Sequence, residues 1–330
     1  MHAVLIVLLV AAPVAAQERP PGWAPVPAGL PLYMPGTRDL PRTSSAAALG
    51  RRLFFDARLS RDGRISCASC HDPARAFTDG RRISIGVDGR PGARNAPTLV
   101  NRAYGENQFW DGRVETLLEQ MLHPIEHPDE MGLSRAEAVR RIAADPVYVA
   151  AFAREKLQVD ADGLAGVLGA YVASILSADA SFDRAAAGDT LALTAEARQG
   201  RRLFDGKAGC TACHRGPNFT DEGFHNTGAA YRDGVWSDSG RFVVTRKPAD
   251  LGAFKTPTLR EVARTAPYMH DGSIATLEAV VDFYDRGGIA NPVLDRELRT
   301  LHLTALEKRA LVAFLESLSG RIREGGWRNY

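Results

Sequence analysis

The sequence predicts a mostly α-helical protein made of two related domains with long loops. A chain of 330 residues is long enough for two domains of ordinary size, each with its own hydrophobic core. Apolar residues recur at helical spacing in several segments, whereas strand-like alternation is scarce. The chain also repeats itself, because the motif Gly-Arg-Arg-Leu-Phe at residues 50–54 returns at residues 200–204. Such a repeat indicates an internal duplication.

The first 43 residues precede the first predicted domain. Residues 1–16 are predicted to be a signal peptide, because an apolar run begins at Ala3 and ends in small residues before Gln17. The run is too short to span a bilayer, so we expect a periplasmic protein with no membrane span. Residues 17–43 are rich in proline, which favours an extended arm. We therefore expect no core residue before about Ser44.

The charge of the chain is nearly balanced. Its 41 basic and 39 acidic residues give a formal net charge of +2. This charge produces no field strong enough to attract nucleic acid or anionic lipid. Neither is predicted as a partner.

The two domains are predicted over residues 44–178 and 194–320. In the first domain, the apolar residues from Leu164 to Leu176 keep helical spacing, and Ser134 with Glu137 marks the start of another helix. In the second domain, Thr304 with Glu307 forms the capping box of a helix that extends to Leu318.

The four cysteines form two copies of the pattern C-x-x-C-H. An exported chain with four cysteines is by default expected to carry two disulfides. Here each pair is followed by a histidine, which a disulfide, a redox C-x-x-C or a zinc site does not require. The pattern is that of covalent c-type haem attachment, in which two thiols bond to the haem and the histidine binds the iron. We predict two haem c groups, held by Cys67, Cys70 and His71 and by Cys210, Cys213 and His214.

The two halves differ at the position where a second iron ligand is expected. After the haem motifs the halves correspond at a constant offset of 160 residues, as in Pro97-Thr98-Leu99 and Pro257-Thr258-Leu259. A helix from Thr276 places Tyr284 near its end, before Gly287 and Gly288. The equivalent residue of the first half is Pro124, whose side chain offers no ligand atom. An iron with two protein ligands carries electrons, whereas an open iron is a catalyst, so the first haem is expected to be the reactive one.

An amide and a carboxylate lie close to Pro124 in the sequence. Glu130 is suited to take a proton from one oxygen of hydrogen peroxide and return it to the other as water leaves, while Gln120 orients the substrate. The alternative is that both are ordinary surface residues.

Several motifs resemble the bacterial di-haem cytochrome c peroxidase and MauG family. The similarity runs from about Ser44 to Leu318 and includes Phe-Trp-Asp-Gly-Arg at 109–113, Glu-Met-Gly at 130–132, Gly-Ala-Phe-Lys-Thr-Pro at 252–257 and Ala-Pro-Tyr-Met-His-Asp-Gly at 266–272. The resemblance implies two cytochrome c-like domains. In the first, His71 is the proximal ligand of the peroxidatic haem. In the second, His214 holds the electron-transfer haem.

The resemblance also implies roles for other side chains. Gln120 and Glu130 match the catalytic pair of the peroxidatic haem, and Trp110 matches a tryptophan that relays electrons between the haems, with plain core packing as its alternative. His270 resembles a residue near the haem propionates, unless it is simply a buried structural histidine. A calcium ion between the haems is implied by three matching residues, Asn95, Thr265 and Pro267, the last two acting through backbone carbonyls.

Two departures from the family pattern bear on the subclass. Many family peroxidases have a histidine sixteen residues after the proximal one, which caps the peroxidatic haem until reduction, and here Val87 stands there. The peroxidases also bind the second haem through a methionine, where this chain has Tyr284, as MauG does; Met269 is the rival ligand. His123 and His127 lie in a loop where the family usually has no histidine, and either they enter the pocket of the first haem or they are solvated.

Three functions are compatible with the sequence. One is a MauG-like enzyme that uses hydrogen peroxide to oxidise a protein or another large donor. Another is a cytochrome c peroxidase that reduces peroxide with electrons from a small periplasmic redox protein. A third is a non-catalytic di-haem electron carrier, which requires two ligands on both irons.

The paired C-x-x-C-H motifs predict two covalent haems per chain. Haem staining after denaturing electrophoresis, with the mass of the intact protein, measures this number. A mass increase of one haem, or a zinc ion in place of haem, would contradict the assignment.

Overall fold

The computed structural model describes residues 26–324, most of whose regular structure is helical. The expected signal peptide therefore lies outside the described residues. None of the helices in this range is long and apolar enough to cross a membrane. The α-helices are α1 (Ser44–Phe54), α2 (Cys67–Cys70), α3 (Leu117–Gln120), α4 (His123–Glu126), α5 (Arg135–Ala143), α6 (Pro146–Arg154), α7 (Ala161–Ala173), α8 (Ser181–Ala186), α9 (Ala195–Asp205), α10 (Phe242–Thr245), α11 (Leu277–Asp285) and α12 (Ala305–Glu316).

Strands are short and pair only in antiparallel twos within residues 26–324. They are β1 (Leu176–Ala178), β2 (Phe224–His225), β3 (Tyr231–Arg232), β4 (Val235–Trp236), β5 (Phe254–Lys255) and β6 (Arg321–Arg323). The pairs are β1 with β6, β2 with β5 and β3 with β4. Long loops with single turns of 3-10 helix connect these elements, so the prediction of a mostly helical fold with long loops is confirmed.

Each half is built on one tightly crossed helix pair. Helix α1 packs on α7, and α9 packs on α12. A Cβ atom on Gly50 would lie 1.8 Å from the Val167 carbonyl oxygen, and one on Gly200 would lie 1.8 Å from the Ala310 carbonyl oxygen. Only glycine permits backbones to approach this closely. The repeated Gly-Arg-Arg-Leu-Phe motif thus places a glycine at both crossings.

Local sequence signals explain where the longer helices begin and end. The Ser134 hydroxyl accepts a hydrogen bond from the Glu137 N–H at the start of α5, and Thr304 with Glu307 forms the predicted capping box of α12. The predicted helix in residues 164–176 is α7, which ends at Ala173. Helix α11 continues through Tyr284 to Asp285.

The proline-rich segment joins the first core, so the expectation that no core residue precedes Ser44 is wrong. Met34 and Leu40 are buried on either side of a 3-10 turn at Pro35–Thr37. Leu40 reaches Gly169 on α7, where a Cβ atom would lie 2.6 Å from its side chain. The prolines exclude an α-helix here, but the space above Gly169 on α7 still binds the apolar side chain of Leu40.

The described residues form two hydrophobic cores. The first gathers apolar residues between Met34 and Leu176, and the second gathers those between Leu203 and Leu318. Helix α8, in the segment between the predicted domains, packs on the second core through Phe182. Its Asp183 accepts two hydrogen bonds from the fully buried Arg260 at 2.7 and 2.8 Å. A bidentate pair of this kind holds its partners in one geometry.

Candidate functional site

A cavity of about 1190 Å³ extends through both halves. It exceeds the roughly 300–1,000 Å³ of an ordinary small-molecule pocket. Its wall contains the cysteines and histidines of both C-x-x-C-H motifs, namely Cys67, Cys70, His71, Cys210, Cys213 and His214.

Helix α2 presents the first motif to the cavity. Both cysteines lie within this one helical turn, and His71 follows directly. The ring Nδ1 of His71 lies 3.1 Å from the Phe77 carbonyl oxygen. Because a carbonyl oxygen only accepts, Nδ1 carries the proton and Nε2 keeps its lone pair for a metal. Burial lowers the pKa of His71, which favours the neutral ring that binds iron.

The second motif repeats this geometry from a different local structure. Cys210 lies in a 3-10 turn at Cys210–Ala212 rather than an α-helix. The ring Nδ1 of His214 nevertheless lies 3.0 Å from the Phe219 carbonyl oxygen, and burial again lowers the pKa of the imidazole. Both motifs therefore offer two thiols and one oriented, neutral imidazole, which is the donor set of haem c.

Gln120 and Glu130 both lie on the cavity wall. The Gln120 Oε1 atom is buried and has no hydrogen-bond partner among the described residues. An unpaired buried acceptor is costly and indicates a ligand that supplies a proton donor. Burial raises the pKa of Glu130, while the nearby His127, Arg113 and His123 lower it. A carboxyl with opposing influences on its pKa is suited to proton transfer.

Val87 lies directly behind the Glu130 segment. The Val87 N–H donates to the Glu130 carbonyl oxygen at 2.8 Å, and the Val87 side chain is fully buried. A Cβ atom on Gly86 would lie 2.1 Å from the Asp129 carbonyl oxygen, so the two segments pack without room for larger residues. Position 87, which contacts the Glu130 segment, therefore carries an apolar side chain that cannot bind iron.

Trp110 lies between the two halves. Its Nε1–H donates to the Asn95 carbonyl oxygen at 2.9 Å, and its own carbonyl oxygen accepts from the Lys255 N–H at 2.8 Å. The indole also lines the cavity. Trp110 is thus fixed by one residue of each half.

The three residues of the implied calcium site, Asn95, Thr265 and Pro267, line the same cavity. The Asn95 amide donates to the Arg81 carbonyl oxygen at 2.9 Å. Its backbone N–H donates to the carbonyl oxygen of His270, a buried residue whose ring stacks on Phe254 at 3.7 Å.

Both candidate ligands of the second iron reach the cavity. Met269 and Tyr284 both line the wall. Tyr284 is close enough to Cys210 and Cys213 for both thiols to act on the pKa of its phenol. Tyr268, which also lines the wall, donates its hydroxyl to the Val262 carbonyl oxygen at 3.0 Å. Within residues 26–324, the Tyr284 hydroxyl has no hydrogen-bond partner, and burial raises the pKa of the phenol.

The two unusual histidines differ in position. His127 lines the cavity, with its Nδ1 3.8 Å from the Glu130 Oε1. His123 lies outside the wall, where its ring packs edge-on against Phe109 at 5.7 Å and its Nε2 lies 3.7 Å from Glu119.

Sequence reasoning gave no role to two further cavity residues. Lys255 is buried, 3.6 Å from Glu222, and its burial lowers the pKa of the ammonium to about 8. It lies 160 residues after Asn95, so the repeat could have drawn attention to it. The ring of His225 lies between Asp295 at 2.6 Å and Asp221 at 3.1 Å. No sequence signal pointed to this cluster, because Asp295 lies 70 residues away.

Comparison with known proteins agrees with this geometry. A family model described as di-haem cytochrome c peroxidase matches residues 44–191. The methylamine utilization protein MauG of Methylorubrum extorquens is 41% identical over 292 residues, or 87% of this chain and 82% of that protein. The cytochrome-c peroxidase IdrP2 of Denitromonas iodatirespirans is 40% identical over 82% of this chain and 81% of its own. The crystal structure of a MauG-like protein associated with microbial copper homeostasis superposes with a TM-score of 0.80 at 36% identity, covering 88% of this chain and 95% of that one.

The fold, the cavity and the paired motifs define a di-haem c-type oxidoreductase. The chain belongs to the family of di-haem cytochrome c peroxidases and MauG proteins. It is accordingly a peroxidase-type enzyme with two c-type haems and hydrogen peroxide as its oxidant.

The position of Glu130 predicts the effect of removing its charge. Glu130→Gln should slow peroxide consumption by about 10²–10⁴-fold with both haems still attached, because a positioned proton-transfer group contributes about that much. Gln120→Ala should cost less, since an orienting amide moves no proton.

Glu119→Gln is the matched control, because Glu119 is adjacent to Gln120 in the sequence but its side chain is 59% exposed and lies outside the cavity wall. Equal rates of peroxide consumption in Glu130→Gln and Glu119→Gln would mean that the Glu130 carboxylate has no catalytic role.

Proposed function

We propose that the protein is a MauG-like enzyme that uses hydrogen peroxide to oxidise a protein or another large donor. In this proposal His71 would hold the haem that reacts with peroxide beside Gln120 and Glu130, and His214 and Tyr284 would both be ligands of the second haem. The observation that carries the subclass is the Tyr284 phenol, which lines the cavity beside Cys210 and Cys213 without a hydrogen-bond partner among the described residues.

Glu130 and Gln120 are proposed to have different roles in the reaction with peroxide at the first haem. The haem supplies the redox chemistry. Glu130 accepts a proton from one peroxide oxygen and delivers it to the other, and its burial favours the protonated form that this delivery requires. Gln120 orients the substrate through its unpaired Oε1, which can accept a hydrogen bond from a peroxide O–H.

A phenolate ligand would set the second haem apart from that of an ordinary peroxidase. A phenolate is a hard anion that stabilises oxidised iron, whereas a methionine thioether favours reduced iron. A haem with His214 and Tyr284 would therefore accept electrons poorly from a small redox protein. It would store an oxidising equivalent well, which suits the oxidation of a large donor.

Trp110 is proposed to connect the two haems electronically, because its indole lines the cavity and is hydrogen-bonded to one half while its backbone is bonded to the other. We further propose a calcium ion near it, held by Asn95 and by the backbone carbonyls of Thr265 and Pro267. Oxygen ligands of these kinds are the ones that calcium prefers.

The two halves are proposed to derive from internal duplication. Their shared features are a glycine at each helix crossing and a phenylalanine carbonyl on each haem-motif histidine. The apolar residues 3–16 support export, and hence a periplasmic enzyme.

A cytochrome c peroxidase that draws electrons from a small redox protein is the second candidate. It is favoured by the 40% identity to a relative named as a cytochrome-c peroxidase. The two candidates differ in the electron donor and in the ligand of the second iron. The electron-carrier alternative is set aside because the chain belongs to a family of enzymes.

Val87 predicts that the fully oxidised protein reacts with peroxide at once. No imidazole stands at this position to cap the first iron, so prior reduction should be unnecessary. Stopped-flow absorbance after mixing the ferric protein with one equivalent of peroxide measures the reaction. A lag that only added reductant removes would mean that another side chain binds the first iron.

Tyr284 provides the test of the subclass. Tyr284→Met should raise the reduction potential of the second haem, because a neutral thioether favours oxidised iron less than a phenolate does. Tyr284→Phe should leave that iron with one protein ligand, visible as an added high-spin signal in electron spin resonance.

Tyr268→Phe is the matched control, because the Tyr268 hydroxyl is already bonded to Val262. If Tyr284→Met and Tyr284→Phe leave the potential and the spectrum as in the control, Tyr284 is a packing residue. Met269 would then be the ligand, and the peroxidase candidate would be preferred.

A further inference from the structure

We propose that His127 relays protons between the solvent and Glu130. The inference rests on the proposed role of Glu130 in moving protons during peroxide cleavage. It gives a function to a histidine that the known chemistry of the site does not require.

The reaction consumes protons that must come from outside the cavity. Reduction of one hydrogen peroxide takes two electrons and two protons and yields two water molecules. The electrons come from the oxidised donor. Glu130 only moves a proton from one peroxide oxygen to the other, so the two consumed protons have to reach the pocket from solvent. An imidazole that contacts both solvent and the cavity can deliver these protons to the Glu130 carboxyl, whose own side chain is 39% exposed.

His127 has contact with both environments. Its side chain is 44% exposed, yet the residue lines the cavity. The Nδ1 atom lies 3.8 Å from the Glu130 Oε1, a separation that a small side-chain rotation brings into hydrogen-bond range.

The loop between the two residues is held in place by its own backbone. The N–H groups of Glu130 and Gly132 both donate to the His127 carbonyl oxygen, at 3.1 and 2.9 Å. Gly132 has a left-handed φ of 61°, which a side chain at this position would strain. The backbones of His127 and Glu130 therefore keep their relative position while the side chains rotate and the ring gains and loses a proton.

A further hydrogen bond identifies the ring nitrogen that takes up the proton. The Asp129 N–H donates to the His127 Nδ1 at 3.3 Å. The neutral ring consequently carries its proton on Nε2, and Nδ1, the atom 3.8 Å from Glu130, takes up a proton from solvent when its hydrogen bond from the Asp129 N–H breaks. Transfer of that proton to the carboxylate regenerates the same neutral ring, so the relay is complete after one step.

The groups around Glu130 act on its proton affinity in both directions. Arg113, His123 and His127 lower the pKa of the Glu130 carboxyl, while its burial and Asp129 raise it. Asp129 is itself paired with Arg90 at 3.4 Å.

Replacement of His127 by glutamine tests the proposal. His127→Gln should slow steady-state peroxide consumption about tenfold, less than the roughly 10²–10⁴-fold loss expected when the pocket carboxylate itself is removed. Added imidazole should restore the rate. The association of hydrogen cyanide with the ferric protein is a second measurement without turnover. The acid binds as its anion and must lose a proton through the pocket, so its association should slow in the same variant.

His123→Gln is the matched control, since His123 is equally exposed at 43% but lies beside Glu119 and outside the cavity wall. Haem content and the resting spectrum of each variant exclude misfolding. The proposal is wrong if His127→Gln has the same rates as the parent in both measurements. It is also wrong if His127→Gln and His123→Gln slow peroxide consumption equally and added imidazole restores the rate of neither variant. A parent protein that consumes no peroxide would instead refute the proposed function.

Discussion

The hydrogen bond from each haem-motif histidine to a phenylalanine carbonyl is the contact on which the site depends. It fixes the tautomer and the direction of the ring, so that Nε2 faces the cavity. Phe77 and Phe219 accept these bonds from left-handed backbone, with φ of 61° and 52°. Such a conformation costs about 1–3 kcal/mol and persists only where the surroundings enforce it. Here both phenylalanine side chains are buried in the cores, so core packing holds the ligand geometry.

Features governed by local chemistry could be predicted from the sequence. The caps at Ser134 and Thr304 and the apolar spacing in α7 each involve residues a few positions apart, so their pattern is visible in the chain. The haem motifs are local for the same reason. Gln120 and Glu130 were proposed because peroxide cleavage needs those chemical groups near an open iron; both line the cavity, and their catalytic roles stay predictions.

Features that depend on distant partners could not be predicted in this way. The prolines before Ser44 correctly exclude a helix, but they say nothing of the α7 groove that buries Leu40. His225 meets Asp295 across 70 residues of chain, and only the folded structure joins them. The same holds for His127 and His123, which have similar local sequences and exposures. Their difference arises from which wall of the fold each one faces.

The pairing of β1 with β6 joins segments that are far apart in the sequence, and this separation affects how the chain folds. β6 begins at Arg321, 143 residues after Ala178 at the end of β1 (321 − 178), and its Ile322 packs against the first core. Strand β1 is also tied to the second half, because the Ser177 hydroxyl donates to Glu261. Contacts so distant along the chain close late and slow folding. A chain that stops before residue 321 contains every buried residue of the second core, which ends at Leu318, but leaves β1 of the first half without its partner strand.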